Sequence, residues 1–201
     1  MAAKKYSFTS EKWYQQSQAF VNRRELAKAC NQLGLAGNAV EIGVHKGEFA
    51  KQFLDLWRGE RYVLVDPWAP IEGYDDEQII PTDPVECEKV YKECWDLLEK
   101  HHHRLGVQRC LSLEAAKVYK DSGVKFDFVY IDADHDYDQV WNDLEAWYPL
   151  CNRGGIFAGH DFFNGKMEGP RRAVYEFLYV LYGYTPIIIT GDAWSWYIIK
   201  R

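Results

Sequence analysis

The segment Phe126-Asp127-Phe128-Val129-Tyr130-Ile131 is almost unbroken apolar and runs straight into Asp132-Ala133-Asp134-His135-Asp136. A strand that apolar on both faces belongs in the middle of a sheet covered by helices on either side. The rest of the chain supplies those helices in alternation. Residues 10 to 33 read as a helix with Ser10 as N-cap and Trp13, Phe20, Leu26, Ala29 and Leu33 on its apolar face, ended by Gly34 and Gly37. Strands follow at Ala39 to Ile42 and Tyr62 to Val65, with a helix through Phe49, Phe53, Leu54 and Trp57 between them. Beyond residues 85 to 103, again helical, come a weaker strand at Val107 to Leu111 and a short helix from Leu113 to Tyr119. The central strand leads into a helix from Tyr137 to Leu150, a strand at Gly155 to Ala158 and a helix from Arg171 to Tyr182. Thr185 to Thr190 and Trp194 to Lys200 flank the turn Gly191-Asp192-Ala193, too short for anything but an antiparallel pair. The expectation is an α/β fold: a mostly parallel seven-stranded sheet, helices on both faces, and a C-terminal antiparallel hairpin. One domain spanning residues 1–201 is expected, with residues 1–37 as an N-terminal helical cap.

The net charge of −6 and the lack of a dense Lys/Arg cluster argue against a nucleic-acid partner. The opening MAAKKYSFTSEKW lacks the apolar core of a signal peptide, and no stretch is long and apolar enough for a membrane span. The cysteines, Cys30, Cys87, Cys94, Cys110 and Cys151, are odd in number and free of C-x-x-C spacing, which reads as reduced thiols in a cytoplasmic protein. A small-molecule partner is expected, and a homodimer is compatible with everything in the sequence. The loop from Trp68 to Pro84, rich in Pro and acids, has the length of a lid or binding loop.

Val40-Glu41-Ile42-Gly43-Val44-His45-Lys46-Gly47 ends a strand with an acid and turns into a helix through two glycines. Gly43 and Gly47 let the backbone turn sharply and approach a ligand. This is not the G-x-G-x-x-G fingerprint of dinucleotide enzymes, which delivers a helix N-terminus to a pyrophosphate. A carboxylate at Glu41 suits a cationic ligand such as S-adenosylmethionine (SAM), with its ammonium and sulfonium. Asp66, ending the next strand, stands where an acid accepts hydrogen bonds from ribose hydroxyls.

The stretches EIGVHKGEFAKQFL, VLVDPW and FDFVYIDADHDYDQVWNDLEAWYPLCNRGGIFAGHDFF resemble class I SAM-dependent methyltransferases, in the small-molecule branch with an IDADHxY motif. The resemblance covers roughly residues 38 to 182 and includes sugar, antibiotic and catechol-type O-methyltransferases. It implies a Rossmann-like sheet, SAM as cofactor and methyl transfer to a small molecule. It further implies that Ser112 and Leu113 flank the adenine and that Asp132 belongs to the cofactor site.

Asp132 and the pair His160-Asp161 end two strands on the carboxyl edge of the sheet, beside the expected cofactor crevice. Metal-dependent catechol-type relatives place ligands there, which maps a divalent-metal site onto Asp132, His160 and Asp161. Those relatives carry Asp followed by Asn, where this chain has His followed by Asp. Mg²⁺ prefers oxygen ligands, whereas imidazole suits Mn²⁺ and softer ions. Either the metal is not obligatorily Mg²⁺, or His160 is a base or an orienting residue. Two other readings stay open: the aspartates cap helices, or His135 or His160 is a general base in a metal-free site.

His101-His102-His103 point in different directions on a helix and read as a solvated helix end. Arg171 and Arg172 read as surface salt-bridge residues, with an acidic substrate group as the alternative. Three functions compete: a SAM-dependent methyltransferase, a non-catalytic SAM-binding module, and an NAD(P)-dependent oxidoreductase. The last lacks both its glycine fingerprint and a Tyr-x-x-x-Lys pair.

Overall fold

The computed structural model describes residues 13–71, 81–163, 168–191 and 194–201. The strands are β1 (Gln15–Gln16), β2 (Asn38–Ile42), β3 (Arg61–Val65), β4 (Leu105–Gln108), β5 (Phe126–Ile131), β6 (Cys151–Gly159), β7 (Ile187–Ile189) and β8 (Ser195–Ile199). The α-helices are α1 (Leu26–Gln32), α2 (Glu48–Leu54), α3 (Pro84–Leu97), α4 (Ser112–Ser122), α5 (Tyr137–Trp147) and α6 (Gly169–Val174), the last continuing as a π-helix over Tyr175–Leu181. All the strands join one sheet in the order β1-β7-β8-β6-β5-β2-β3-β4. Every pairing is parallel except those of β8, which runs antiparallel to β6 and β7. The expected hairpin is therefore present, and the sheet has one strand more than the seven expected.

The extra strand corrects the N-terminal expectation. In place of a helix from residue 10, Gln15 and Gln16 extend alongside Ile187 and Ile188. The helical spacing of Trp13, Phe20 and Leu26 loses to tertiary packing: Trp13 is buried against Phe162 and Tyr175, on the opposite face of the sheet from Leu26. The helical turn begins only at Asn22, which caps the Arg24 N–H while Glu25 reaches back to Asn22. The proposed N-cap Ser10 lies outside the described residues.

Side-chain alternation along the strands assigns the two faces. Val40, Ile42, Val129, Ile131 and Phe157 pack with Ala115 of α4, Leu144 and Trp147 of α5 and Val174 of α6. Ala39, Phe128, Tyr130 and Ala158 pack with Leu26 of α1, Phe49 and Phe53 of α2 and Cys94 of α3. Helices thus cover both faces, which is why β5 carries so few polar residues.

From β2 the chain winds outward through β3 to β4, then returns to β5 on the other side of β2. The β2/β5 junction is a topological switch point, where a crevice opens beyond the carboxyl ends of the strands. The third expected strand ends earlier than Leu111. The Glu114 side chain accepts the Leu111 N–H at 3.1 Å and starts α4 at Ser112, so Cys110 and Leu111 turn over the crevice. Most of the expected 68–84 loop falls on residues 72–80, outside the described residues. Its end is fixed by Asp83, which accepts the Val85 N–H at 2.9 Å with Pro84 opening α3. All five cysteines are free thiols. No helix among the described residues is long and apolar enough to cross a membrane.

Candidate active site and cofactor cavity

A cavity of about 310 Å³ fills the crevice at the switch point, within the usual size range of small-molecule sites. The ends of four successive parallel strands build it: Gly43 and His45 after β2, Asp66 and Trp68 after β3, Ser112 after β4, and Asp132 and Asp134 after β5. Gln139 and Asp143, one turn apart on α5, complete the wall. Of the residues expected to bind a cofactor, Gly43, Asp66, Ser112 and Asp132 line this cavity, while Glu41 and Gly47 do not.

Gly43 serves the backbone more than a ligand. A Cβ there would lie 2.1 Å from the Asp132 carbonyl oxygen, and its φ is +82°. Only glycine lets β2 and β5 end in such close register, with the Asp132 N–H donating to Ile42 O at 2.8 Å. Gly47, at φ +76°, packs against Cys94 and Leu98.

Asp66 also holds backbone. Its Oδ2 accepts the N–H groups of Val44 at 3.0 Å and His45 at 2.9 Å, and its Oδ1 accepts Trp68 N–H at 2.8 Å. The Trp68 indole N–H in turn donates to His45 O at 2.8 Å. These bonds clasp the turn after β2 to the end of β3. A carboxylate offers about four acceptor positions, so these bonds leave about one unused.

Glu41 sits on the other face of β2, fully buried, accepting a hydrogen bond from the Tyr62 hydroxyl at 2.7 Å. Burial pushes its carboxyl up to about 8.

At the end of β6 the chain turns sharply. Asp161 has φ +53°, a left-handed conformation that costs a non-glycine residue about 1–2 kcal/mol. The His160 N–H donates to Ile131 O at 3.0 Å and the Phe162 N–H to Trp194 O at 2.9 Å, fixing the turn on both sides. The turn brings Asp132, His160 and Asp161 together, with one potential ligand atom from each lying within 4.8 Å of the others. His160 Nδ1 is 3.2 Å from Asp132 Oδ1 and 3.1 Å from Asp161 Oδ2. The His135 Nε2 approaches the same Asp161 oxygen at 2.9 Å.

Burial opposes charge on His160, but the two carboxylates outweigh it and hold the imidazole up at about 9. The hydrogen bond to Asp161 likewise raises His135, against burial. Asp161 is held well below the usual carboxylate range, because its two histidine partners outweigh its own burial. Asp132 belongs to both places: it lines the cavity and stands in this cluster.

Sequence reading missed Arg23, whose guanidinium reaches from the N-terminal segment to Asp132 Oδ2 at 3.0 Å. It also missed His45, Gln139 and Asp143. For the last two a signal existed, since they fall one helical turn apart beside the DADH motif. The expected solvated helix end holds only for His103: His101 and His102 are partly buried, His101 pairing with Asp55 at 3.0 Å and His102 stacking on Trp95. Arg172 forms the expected surface pair with Glu176 at 3.0 Å.

The chain matches the model of a family described as a methyltransferase domain over residues 40–162, more than half its length. No curated protein sequence matches it significantly. Among solved structures it is similar to the calicheamicin methyltransferase CalS11, at 19% identity and TM-score 0.60, over 89% of this chain and 80% of that one. It is also similar to an O-methyltransferase from Bacillus cereus in complex with SAH (16% identity, TM-score 0.61, 88% and 80% covered). A further likeness is to the O-methyltransferase TomG from Streptomyces achromogenes in complex with SAM (12% identity, TM-score 0.60, 89% and 79% covered). The structural likenesses are of fold, and the matched segment runs from β2 to Phe162, spanning both the cavity and the Asp132–His160–Asp161 cluster. The chain belongs to the methyltransferase-domain family.

Proposed function

We propose that this protein transfers a methyl group from SAM to a hydroxyl of a small molecule, with a divalent cation held by Asp132, His160 and Asp161. One observation carries the reading: Asp132 joins the cofactor-sized cavity to a cluster of three convergent metal-ligand side chains. The neighbours named as O-methyltransferases, two of them holding SAM or SAH, support both the acceptor atom and the cofactor.

The cavity residues fit SAM. Gly43 and Asp132 bring two strand ends together at its floor, Asp66 keeps an acceptor position for a ribose hydroxyl, and the apolar stretch around Leu111 suits a heterocycle. SAM supplies an electrophilic methyl group on a sulfonium.

The cluster fits a divalent cation. It offers two carboxylates and an imidazole, a mixed oxygen–nitrogen set that accommodates Mn²⁺ as readily as Mg²⁺. Partners outside the set orient its members, Arg23 on Asp132 and His135 on Asp161. A cation held there would supply positive charge that favours the ionised form of an acceptor hydroxyl. Asp132 stands both in the cluster and on the cavity wall, so these residues would hold that charge beside the cavity, where acceptor and methyl donor would meet.

A second reading dispenses with metal and makes His135 or His160 the group that takes the acceptor's proton. The His135–Asp161 contact favours it, since a carboxylate is holding an imidazole in place. Methyl-transfer assays on a panel of hydroxylated small molecules, with and without excess chelator, separate the two. The metal reading expects turnover to vanish and to return with Mn²⁺ or Mg²⁺; full turnover in chelator supports the histidine reading.

A further inference from the structure

The segment from Trp13 to Glu25 reaches both strand ends that supply the Asp132–His160–Asp161 cluster. Trp13 packs 5.2 Å from the ring of Phe162, the residue after Asp161. Further along, Arg23 Nη1 donates to Asp132 Oδ2 at 3.0 Å. Arg23 is fixed in that position. It opens a helical turn capped by Asn22, and the Glu25 carboxylate accepts the Val21 N–H at 2.9 Å. Its guanidinium stands 5.2 Å from the centre of the Phe49 ring. It also lies 3.5 Å from the hydroxyl of Tyr130, which is buried and paired with Ser195 Oγ at 3.0 Å. A charge-assisted bond from so placed a guanidinium is strong and directional.

The two oxygens of Asp132 therefore have different neighbours. Oδ2 is held by Arg23, while Oδ1 lies 3.2 Å from His160 Nδ1, on the cluster side. A carboxylate grips a cation with both oxygens only when both turn toward it. With Oδ2 on Arg23, only Oδ1 is left for an ion among the three side chains. Ion size makes this count. Ca²⁺ takes about six to eight oxygens and readily uses both oxygens of one carboxylate. Mg²⁺ and Mn²⁺ suit octahedral sites, in which a carboxylate can give a single oxygen.

We propose that Arg23 sets the ion selectivity of the cluster: by holding Asp132 Oδ2 it limits Asp132 to one-oxygen ligation and favours Mn²⁺ or Mg²⁺ over Ca²⁺. The proposal rests on the metal reading above and adds a positioning residue to it. Arg23 acts through Asp132 and does not touch the ion. Removing its positive charge would strengthen binding of every divalent ion alike, so the readout is the ratio of two affinities. His160 also favours Mn²⁺, but it is common to all the proteins compared, so a change in the ratio belongs to Arg23.

The test is calorimetry of the full chain with manganese chloride and, separately, calcium chloride, on the wild type, Arg23→Met and Arg23→Lys. The wild type should prefer Mn²⁺, and Arg23→Met should narrow that preference by about tenfold. Arg23→Lys keeps a cationic donor for Oδ2 and should restore most of it. A ratio equal in the wild type and Arg23→Met would overturn the proposal while leaving the metal reading intact. A wild type that prefers Ca²⁺ would overturn it too, and that arm needs no variant to fold. A wild type that binds neither ion would overturn the metal reading and the proposal with it.

Discussion

The carboxylate of Asp66 grips the backbone of His45, accepting its N–H at 2.9 Å with the oxygen that also takes the Val44 N–H. An acid that reads as a ribose partner in the sequence is thus first a clamp on the glycine turn. Asp66→Ala strips three backbone donors of their acceptor and should destabilise the fold by about 1–3 kcal/mol. Asp66→Asn keeps one oxygen acceptor and should cost less. Urea unfolding of both variants beside the wild type checks the order; equal stability of all three would mean that the clamp contributes nothing.

Gly43 should tolerate no side chain. Its backbone is left-handed, and a Cβ would fall 2.1 Å from the Asp132 carbonyl oxygen, which leaves nowhere for a methyl group. Gly43→Ala should lower stability by at least about 2 kcal/mol, and it should weaken ligand binding in whatever fraction folds. A variant with wild-type melting temperature would show that β2 and β5 end far enough apart to admit a methyl group.

Glu41 makes stability depend on pH. Its folded carboxyl is raised to about 8, whereas an unfolded glutamate titrates near about 4.3. Between those values the folded chain binds a proton that the unfolded chain has lost, so the contribution falls as pH rises through that window. Glu41→Gln removes this titration and retains an acceptor for the Tyr62 hydroxyl. The variant should therefore gain on the wild type between pH 5 and pH 8, by on the order of 3 kcal/mol. Denaturation curves at the two pH values give the difference; a gap independent of pH would contradict a neutral buried Glu41.

His135 stands outside the proposed ligand set but on one of its members, Asp161. His135→Ala should weaken metal binding by about 10- to 100-fold, as loss of an orienting partner does elsewhere. His160→Asn would replace the imidazole of the proposed ligand set with an oxygen and should shift activation from Mn²⁺ toward Mg²⁺. Metal titrations followed by calorimetry check both; an unchanged affinity in His135→Ala together with an unchanged preference in His160→Asn would remove the metal from the site.

Most of the architecture was legible because β5 is apolar on both faces and the glycine turns and strand-end acids fall at regular intervals. The cavity residues Gly43 and Asp66 were legible for the same reason, since strand ends converge at a switch point whatever the side chains are, whereas Ser112 and the place of Asp132 beside the cofactor came from the family resemblance. What escaped was set by contacts distant in sequence. Trp13 leaves a helical pattern for an aromatic cluster with Phe162 and Tyr175. Arg23 meets Asp132 across more than a hundred residues. Glu41 alternates onto the face of Tyr62, a consequence of the two-residue strand period that its place in a glycine motif obscures.

The central claim is that the crevice at the β2/β5 junction binds SAM. Isothermal calorimetry of the full chain with SAM and, separately, with NADH tests it most directly. SAM should bind with a dissociation constant of about 1–100 µM, and NADH should give no heat beyond dilution, because the turn from Gly43 to Gly47 holds no pyrophosphate fingerprint. Saturable NADH binding with no binding of SAM would contradict it.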